Sequence, residues 1–401
     1  MLYRTMPKTD DQLSILGFGC MRLPSTDGKI DEARAIAQIR SSIDKGVNYV
    51  DTAWPYHGGA SEPLLGKALK DGYREKVKVA TKLPSWLLES HEDMDTILNA
   101  QLERLQTDHI DYYLVHALNG PLWDSVSALR VTDFLERAKQ DGRIINAGFS
   151  FHGILPDFKR IVDAYPWEFC QIQYNYLDQE FQAGKEGLKY AHDRDLGIIV
   201  MEPLRGGTLA LPTPPPAIGE IWETASVKRT PVEWALRWVW NQPEVTLVLS
   251  GMNEEEHIEQ NLAIAAQAEA NTLTEEELNL IDQASRQYHS MMQVGCTGCG
   301  YCMPCPAGVM IPNCFDAFNK LSMFGKADEA KFSYALSISG VLGTNEPGFA
   351  SQCVACGECL EKCPQQIRIP DVLEKVAEAL EDEDLEERIE QAKIVFKRRP
   401  Q

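Results

Sequence analysis

Short apolar runs alternate with longer amphipathic segments along most of the chain. The apolar runs are rich in β-branched and aromatic residues and predict eight strands, at residues 16–22, 47–52, 77–82, 110–116, 144–150, 169–175, 197–202 and 245–250. The longer segments follow the helical period and predict helices at residues 33–45, 95–105, 125–140, 157–164, 185–193, 232–241 and 255–268. Eight such alternations predict a (β/α)8 barrel. A doubly wound sheet is the alternative, but no G-x-G-x-x-G motif follows an early strand.

The end of the barrel is marked by a helix predicted from residue 273 to residue 288. Thr274 is followed three residues later by Glu277, which is the capping-box pattern of a helix start. We therefore expect a barrel domain over residues 1–290 and a second domain over residues 291–401, with helices at 313–323 and 327–336. Four prolines at positions 212, 214, 215 and 216 predict a loop over residues 211–218 at the barrel mouth.

Composition excludes some classes of function. The 401 residues carry a net charge of −20 and a pI near 4.9, so nucleic acid is not an expected partner. The first eleven residues are polar, and no apolar run approaches membrane-spanning length. We therefore expect no signal peptide and no membrane segment, and a cytoplasmic protein. The acidic stretch 378–390 is typical of a solvated helix face.

Eight of the eleven cysteines stand in two tight runs. The first reads C-x-x-C-x-x-C-x-x-C-P (Cys296, Cys299, Cys302, Cys305) and the second C-x-x-C-x-x-C-x-x-x-C-P (Cys353, Cys356, Cys359, Cys363). This pattern resembles the bacterial two-cluster ferredoxin. The resemblance implies two [4Fe–4S] clusters, one held by Cys296, Cys299, Cys302 and Cys363 and the other by Cys353, Cys356, Cys359 and Cys305.

Zinc is the competing interpretation of the cysteine runs, because paired C-x-x-C motifs also hold zinc. One zinc ion needs four ligands, which usually come as two separated pairs. Each run here adds a third and a fourth cysteine at nearly the same spacing, and this favours iron–sulfur clusters. The first run is one residue shorter before its Cys-Pro than the usual spacing, which leaves the exchange of Cys305 between the clusters open. Thiolate ligands also fit a reducing compartment.

Four polar residues fall at the ends of consecutive predicted strands or just after them, where barrel active sites lie: Asp51, Tyr56, Lys82 and His116. A phenol titrates near pH 10, and a neighbouring lysine favours the phenolate and lowers that pKa. Asp51 would balance the lysine charge, and a neutral His116 would donate a hydrogen bond to a carbonyl oxygen. The four residues predict an acid and an electrophilic pocket for hydride transfer from a nicotinamide.

The segments around these residues read VDTAWPYHGG, VATKLP and DYYLVHAL, and SEPLLGKAL, GFSFH, QIQYN and IEQNL follow them. Together they resemble the aldo-keto reductase family over residues 16–282. One branch of that family carries a ferredoxin-like C-terminal extension, so both halves of the chain agree. The resemblance implies a nicotinamide-dependent oxidoreductase that interconverts a small carbonyl compound and an alcohol, with Tyr56 as general acid and base.

The same resemblance implies a nucleotide site. Ser150 and Gln173 match positions that hold the nicotinamide carboxamide, and Met201 stands where many relatives stack a tyrosine on the ring. Arg205, Gly206 and Gly207 are expected at the pyrophosphate, and Ser250, Gln260 and Asn261 complete the expected set, the last two at the adenine. NADPH-preferring relatives place a lysine and an arginine after the eighth strand. Gly251 and His257 occupy those positions here, with three glutamates between them, which favours NADH over NADPH.

The two halves leave three functional hypotheses, because a nicotinamide delivers two electrons and a [4Fe–4S] cluster carries one. In the preferred hypothesis the chain is a carbonyl reductase or alcohol dehydrogenase whose clusters are structural or redox-sensing. In the second, the clusters exchange electrons with a ferredoxin-type partner, through a flavin for which no motif is evident. In the third, the barrel is a scaffold and the chain is an electron carrier or sensor; the intact tetrad argues against it.

Overall fold

The structure is a computed structural model that describes residues 1–26, 29–291, 293–296, 302–324, 326–341, 346–363 and 367–397. Its strands are β1 Tyr3–Thr5, β2 Gln12–Ser14, β3 Leu16–Gly19, β4 Ser25–Thr26, β5 Lys29–Ile30, β6 Tyr49–Asp51, β7 Lys78–Leu83, β8 Ile110–Leu118, β9 Ile144–Phe151, β10 Phe169–Gln173, β11 Gly197–Met201 and β12 Leu247–Ser250.

The α-helices lie between and after these strands. They are α1 Glu32–Asp44, α2 Ser61–Ala68, α3 Glu92–Leu105, α4 Gly120–Ala128, α5 Val131–Gln140, α6 Leu155–Ala164, α7 Gly184–His192, α8 Pro216–Glu223, α9 Pro231–Trp240, α10 Glu255–Ala265, α11 Glu275–Ser290, α12 Ile311–Phe324, α13 Ala327–Ile338, α14 Glu358–Lys362, α15 Ile369–Leu380 and α16 Leu385–Lys397.

Eight parallel strands close into a barrel in the order β10-β11-β12-β3-β6-β7-β8-β9, which confirms the (β/α)8 prediction and excludes the doubly wound sheet. The antiparallel β1–β2 pair lies outside the closed sheet. Large side chains fill the barrel interior, among them Tyr49, Tyr112, Phe169 and Leu247. A barrel this full is a packed core and not a pore, so its chemistry is confined to the strand ends.

Two predicted segments are wrong in detail. The predicted helix 125–140 is two helices, α4 and α5, because Arg130 adopts a left-handed backbone (φ +61°) between them. The predicted proline loop 211–218 ends early, because α8 begins at Pro216. Proline is tolerated in the first turn of a helix, where its missing N–H has no intrahelical partner to lose.

The predicted start of α11 is confirmed. Glu277 accepts a hydrogen bond from the Thr274 N–H (2.9 Å), and the Thr274 hydroxyl accepts one from the Glu277 N–H (3.2 Å). This is the reciprocal capping box expected from the sequence.

The chain divides into two compact units. The first comprises Met1–Pro214 and Trp222–Ile281, and the second comprises Pro215–Ile221 and Asp282–Arg398. The domain boundary at residue 290 stays a prediction. In the second unit α12, α13 and α15 bury an apolar core that includes Phe315, Tyr334, Leu373 and Val376. Helices α12 and α13 confirm the helices expected at residues 313–323 and 327–336.

Candidate functional site

A buried ion pair lies at the ends of β6 and β7. Lys82 Nζ donates to Asp51 Oδ1 (2.6 Å) and to the Thr52 carbonyl oxygen (2.8 Å). Both charged side chains are almost wholly buried, with 0% of Lys82 and 3% of Asp51 exposed. Burying an unpaired ammonium here would cost several kcal/mol, so Asp51 is what keeps Lys82 charged in this position.

Tyr56 brings a phenol to the same lysine. It begins a short 3-10 segment, Tyr56–Gly59, in which His57 and Gly58 have left-handed backbones. Lys82 Nζ lies 3.4 Å from Tyr56 Oη, the long end of the hydrogen-bond range. The loop therefore presents the phenol beside the ammonium without a tight contact.

The pKa values at this site follow from burial and charge together. Burial raises the pKa of Tyr56 above 10, and the opposing effect of Lys82 only partly offsets it. Burial also acts to lower the pKa of Lys82, but Asp51 and Tyr56 raise it above its usual value. The expected lowering of the Tyr56 pKa is therefore corrected: Lys82 acts in that direction, but burial outweighs it, and the phenol is protonated at neutral pH.

His116 completes the group from β8. Its ring centroid lies 6.2 Å from that of Tyr56 and 5.1 Å from that of Trp86. Burial, followed by the charge of Lys82, lowers the pKa of His116 well below 6.5, so the imidazole is neutral. Its Nδ1 is buried without a hydrogen-bond partner among the described residues. The structure thus brings all four predicted tetrad residues together.

A second layer of polar side chains supports the lysine strand from behind. Gln101 of α3 donates to the Lys82 carbonyl oxygen (3.0 Å) and to Glu62 Oε1 (2.7 Å), and its own carbonyl accepts from the Tyr113 hydroxyl (2.8 Å). Glu62 is fully buried and also pairs with Arg104 (3.0 Å). The sequence analysis did not assign Gln101. It is a polar residue on the buried, otherwise apolar face of α3, and that is the signal that marks it.

Gln173, expected at the carboxamide, is engaged within the protein, whereas the other glutamine of β10 has a buried oxygen without a partner among the described residues. Gln173 donates through Nε2 to Asp178 Oδ2 (2.8 Å), so its amide is committed within the protein. Gln171 lies two residues earlier on β10, paired in register with Ser150, and its Oε1 is buried without a partner among the described residues. Its Nε2 lies 3.5 Å from the Met201 sulfur. The sequence analysis did not single out Gln171, because QIQYN offers two glutamines on the same face of one strand.

Arg205 is also held by Asp178. Its Nε donates to Asp178 Oδ2 (3.2 Å), and Asn175 Nδ2 donates to the same oxygen (2.9 Å). Gly206 and Gly207 follow with left-handed backbones (φ +68° and +95°), which glycine adopts without strain. The Gly207 N–H donates to the Leu204 carbonyl oxygen (3.0 Å), so the turn is closed by its own backbone.

The remaining expected nucleotide residues are on or near α10. Asn261 is buried and donates to the Ser250 hydroxyl (3.0 Å), which ties the helix to the end of β12. Gln260 is half-buried and donates to the Thr230 hydroxyl (3.2 Å). Gly251 packs against the Arg22 side chain, since a Cβ at that position would lie 3.2 Å from Arg22 Cβ. The contacts of Asn261 and Gln260 tie the middle of α10 to the end of β12 and to Thr230.

Five cysteines of the second unit line one cavity: Cys302, Cys305, Cys353, Cys356 and Cys359. Its remaining wall is largely apolar and includes Pro304, Ile311 and Leu373. Cys305 lines this cavity with the three close cysteines of the second run, and so does Cys302, which the ferredoxin pattern gives to the other cluster. The exchange of Cys305 between the clusters stays a prediction. Converging thiols in an apolar wall fit a thiolate-held cluster.

The other cysteines of the two runs are less fully described. Cys296 and Cys363 are half-buried and pack against the helical core, and Cys299 lies outside the described residues. Among the residues that the structure describes, no three His, Cys, Asp or Glu side chains are arranged to hold a single metal ion.

The comparisons with known proteins identify both parts of the chain. Residues 15–286 match the aldo/keto reductase family, and residues 295–367 match a 4Fe-4S dicluster domain. The chain therefore belongs to the aldo/keto reductase family and carries a 4Fe-4S dicluster domain after its barrel. It is an oxidoreductase, and its two domains support a nicotinamide nucleotide and iron–sulfur clusters as cofactors. The dicluster match favours iron–sulfur over zinc.

Individual relatives match the barrel. L-galactose dehydrogenase of Arabidopsis thaliana is 27% identical over 299 residues, which cover 70% of this chain and 92% of that protein. The aldo-keto reductase YhdN of Bacillus subtilis is 31% identical over 220 residues, 52% of this chain and 64% of that protein. The holo form of aldo-keto reductase AKR11C1 from Bacillus halodurans superposes with a TM-score of 0.61 at 27% identity, over 71% of this chain and 96% of that one.

In the described part of the chain, no helix combines the length and the apolar character that a bilayer crossing requires.

Proposed function

We propose that the barrel interconverts a small carbonyl compound and an alcohol by hydride transfer, with Tyr56 as the general acid and base. The observation that carries this proposal is the Asp51–Lys82–Tyr56 chain of contacts, closed by a neutral His116. Four titratable groups with perturbed pKa values at adjoining strand ends are typical of a catalytic site.

The proton step belongs to Tyr56. In reduction, the protonated phenol donates to the developing alkoxide, and the ammonium of Lys82 stabilises the phenolate that remains. Asp51 holds Lys82 in place and balances its charge. His116 donates a hydrogen bond to the carbonyl oxygen from one ring nitrogen and so orients it. In oxidation, the phenolate accepts the proton of the alcohol.

A nicotinamide bound at this site supplies or accepts the hydride. Two side chains fit its carboxamide: Gln171 offers a buried, unsatisfied acceptor, and the Ser150 hydroxyl, which accepts from the Ala117 N–H (2.7 Å), still has its own proton to donate. We assign Gln171 in place of Gln173, because Gln173 is committed to Asp178. Arg205, Gly206 and Gly207 stay proposed at the pyrophosphate, and Ser250, Gln260 and Asn261 at the adenosine. We propose NADH as the preferred nucleotide.

The substrate pocket is proposed at Trp86, which lies against His116. Trp123, in the helix that follows β8, and Phe151, at the end of β9, are core residues instead. Trp123 packs on Trp167 (6.1 Å between centroids) and Phe151 packs on Phe158 (5.1 Å), and both are buried. The clusters are proposed to be structural or redox-sensing, bound as the cysteine pattern implies.

The test is the Tyr56→Phe variant of the full-length, cluster-loaded protein. We expect NADH-dependent reduction of a panel of aromatic and aliphatic aldehydes to fall by about a thousandfold or more, with iron and sulfide content unchanged. Tyr190→Phe is the matched control, because its hydroxyl bonds to Asp163 on the surface (2.6 Å). Reduction at the wild-type rate by Tyr56→Phe would contradict the proposal.

A further inference from the structure

An arginine of α1 is clamped by two glutamates from the start of α10. Arg34 Nη2 lies 2.5 Å from Glu254 Oε2 and 2.5 Å from Glu255 Oε2, and its Nε donates to Glu255 Oε1 (2.9 Å). Glu255 is thus engaged by two parallel hydrogen bonds from one edge of the guanidinium, the bidentate geometry that arginine also uses for phosphate. All three side chains reach solvent.

A buried glutamine fixes the same glutamate from below. Gln38 lies one turn after Arg34 and is almost wholly buried. Its Nε2 donates to Glu255 Oε1 (3.0 Å) and to the Asn253 carbonyl oxygen (3.1 Å). Its Oε1 has no hydrogen-bond partner among the described residues, although its amide is turned toward this cluster. Hydrogen bonds from two residues of α1 therefore fix the position of Glu255.

Arg34 determines the ionisation state of Glu255. The Arg34 guanidinium lowers the pKa of Glu255 to about 2, so the carboxylate is ionised at any working pH. With two carboxylates on one guanidinium, the cluster is net negative. A phosphate group approaching it meets repulsion and finds the arginine already occupied, whereas a ribose hydroxyl meets only acceptors.

Resting on the proposed function, we propose that Glu254 and Glu255 determine the choice of NADH over NADPH by occupying Arg34. Glu254 and Glu255 stand at the N-terminus of α10, the helix that carries Gln260 and Asn261. Those two residues are assigned above to the adenosine. Arg34 then has the donors that a phosphate would need, but the two carboxylates engage them. Removing both carboxylates frees its donors for the 2′-phosphate.

The experiment measures nucleotide binding to the full-length, cluster-loaded protein by anaerobic calorimetry. The probes are NADH, NADPH, 5′-ADP and 2′,5′-ADP, of which the last two report on the adenosine site without any hydride transfer. In Glu254→Gln/Glu255→Gln we expect affinity for 2′,5′-ADP and NADPH to rise about tenfold or more, while affinity for 5′-ADP and NADH does not rise.

Two further variants separate the arginine from general electrostatics. Adding Arg34→Ala to the double variant should abolish the gain for 2′,5′-ADP. The control Glu256→Gln/Glu259→Gln removes two charges from the same exposed helix and should change the ratio of the two affinities by less than about threefold.

The outcomes are distinct. An equal gain with Arg34→Ala present, an equal gain in the control, or no gain at all would overturn the assignment to Arg34. A wild-type protein that binds neither NADH nor NADPH would instead overturn the proposed function. The substituted side chains lie at the surface, and a thermal melt of each variant confirms that the comparison is between folded proteins.

Discussion

The barrel site and the cysteine cavity differ in what holds their side chains in place. In the barrel, each proposed catalytic side chain is held by its own strand or by a hydrogen bond to a neighbour, as Lys82 is by Asp51 and by Gln101 behind it. In the second unit, Cys302, Cys305, Cys353 and Cys356 stand on segments between helices, and Cys356 is exposed. The barrel site is thus preorganised, whereas we expect the cysteine segments to depend for their order on the group that joins their thiols.

The largest expected effect comes from breaking the preorganised pair. Lys82→Met should lower turnover by about a thousandfold or more, because the phenolate of Tyr56 loses its cation. It should also destabilise the folded barrel by about 3 kcal/mol, because Asp51 is left buried and unpaired.

The double variant Lys82→Met/Asp51→Asn separates these two consequences. We expect it to recover most of the stability in chemical denaturation but none of the activity, and Lys70→Met on the surface to change neither. Recovery of turnover in the double variant would show that the ion pair serves only the fold.

The next effect is on the second unit alone. Removing the clusters by chelation under oxidation should expose the segments around Cys305 and Cys353 to limited proteolysis, because cluster binding contributes folding free energy there. All eight tryptophans precede residue 241, so tryptophan emission reports on the barrel alone. We expect the emission maximum and the barrel's melting temperature to be unchanged. A red-shifted emission maximum would show that the barrel also depends on the clusters.

A smaller effect distinguishes the two glutamines of β10. Gln171→Ala should weaken NADH binding by about tenfold, because a buried acceptor for the carboxamide is lost. Gln173→Ala should weaken it by less than about threefold, because Gln173 acts through Asp178. The measurement is the dissociation constant of each variant by calorimetry. The reverse order would return the carboxamide to Gln173.

The smallest expected effect is that of pH on reduction. The pKa of Tyr56 lies above 10 and that of His116 well below 6.5, so both groups keep their protonation state across neutral pH. We expect kcat/KM for reduction to stay within about twofold between about pH 7 and about pH 9, and to fall only as the phenol ionises. Alcohol oxidation needs the phenolate, so its rate should rise through the same range. A decline in reduction below pH 9 would place the acid's pKa lower than its burial requires.

The sequence was sufficient for the strands and for the tetrad, because both depend on local periodicity and on the position of strand ends. It was insufficient where a residue distant in the sequence determines which contacts a side chain makes. Gln171 and Gln173 share one strand face, and only Asp178, from the loop beyond the strand, shows which amide is taken. The clamp of Glu254 and Glu255 on Arg34 joins residues 220 and more apart in sequence. The Tyr56 pKa likewise depends on burial, which no local pattern reports.

The most direct test of the central claim is an anaerobic titration of the cluster-loaded protein with NADH and an aromatic aldehyde, followed at the nicotinamide and cluster absorption bands together. The account predicts that NADH is consumed in equal amount to the alcohol formed while the cluster absorption stays constant. Bleaching of the clusters by NADH in step with turnover would contradict it, and would place the iron–sulfur centres in the path of the electrons.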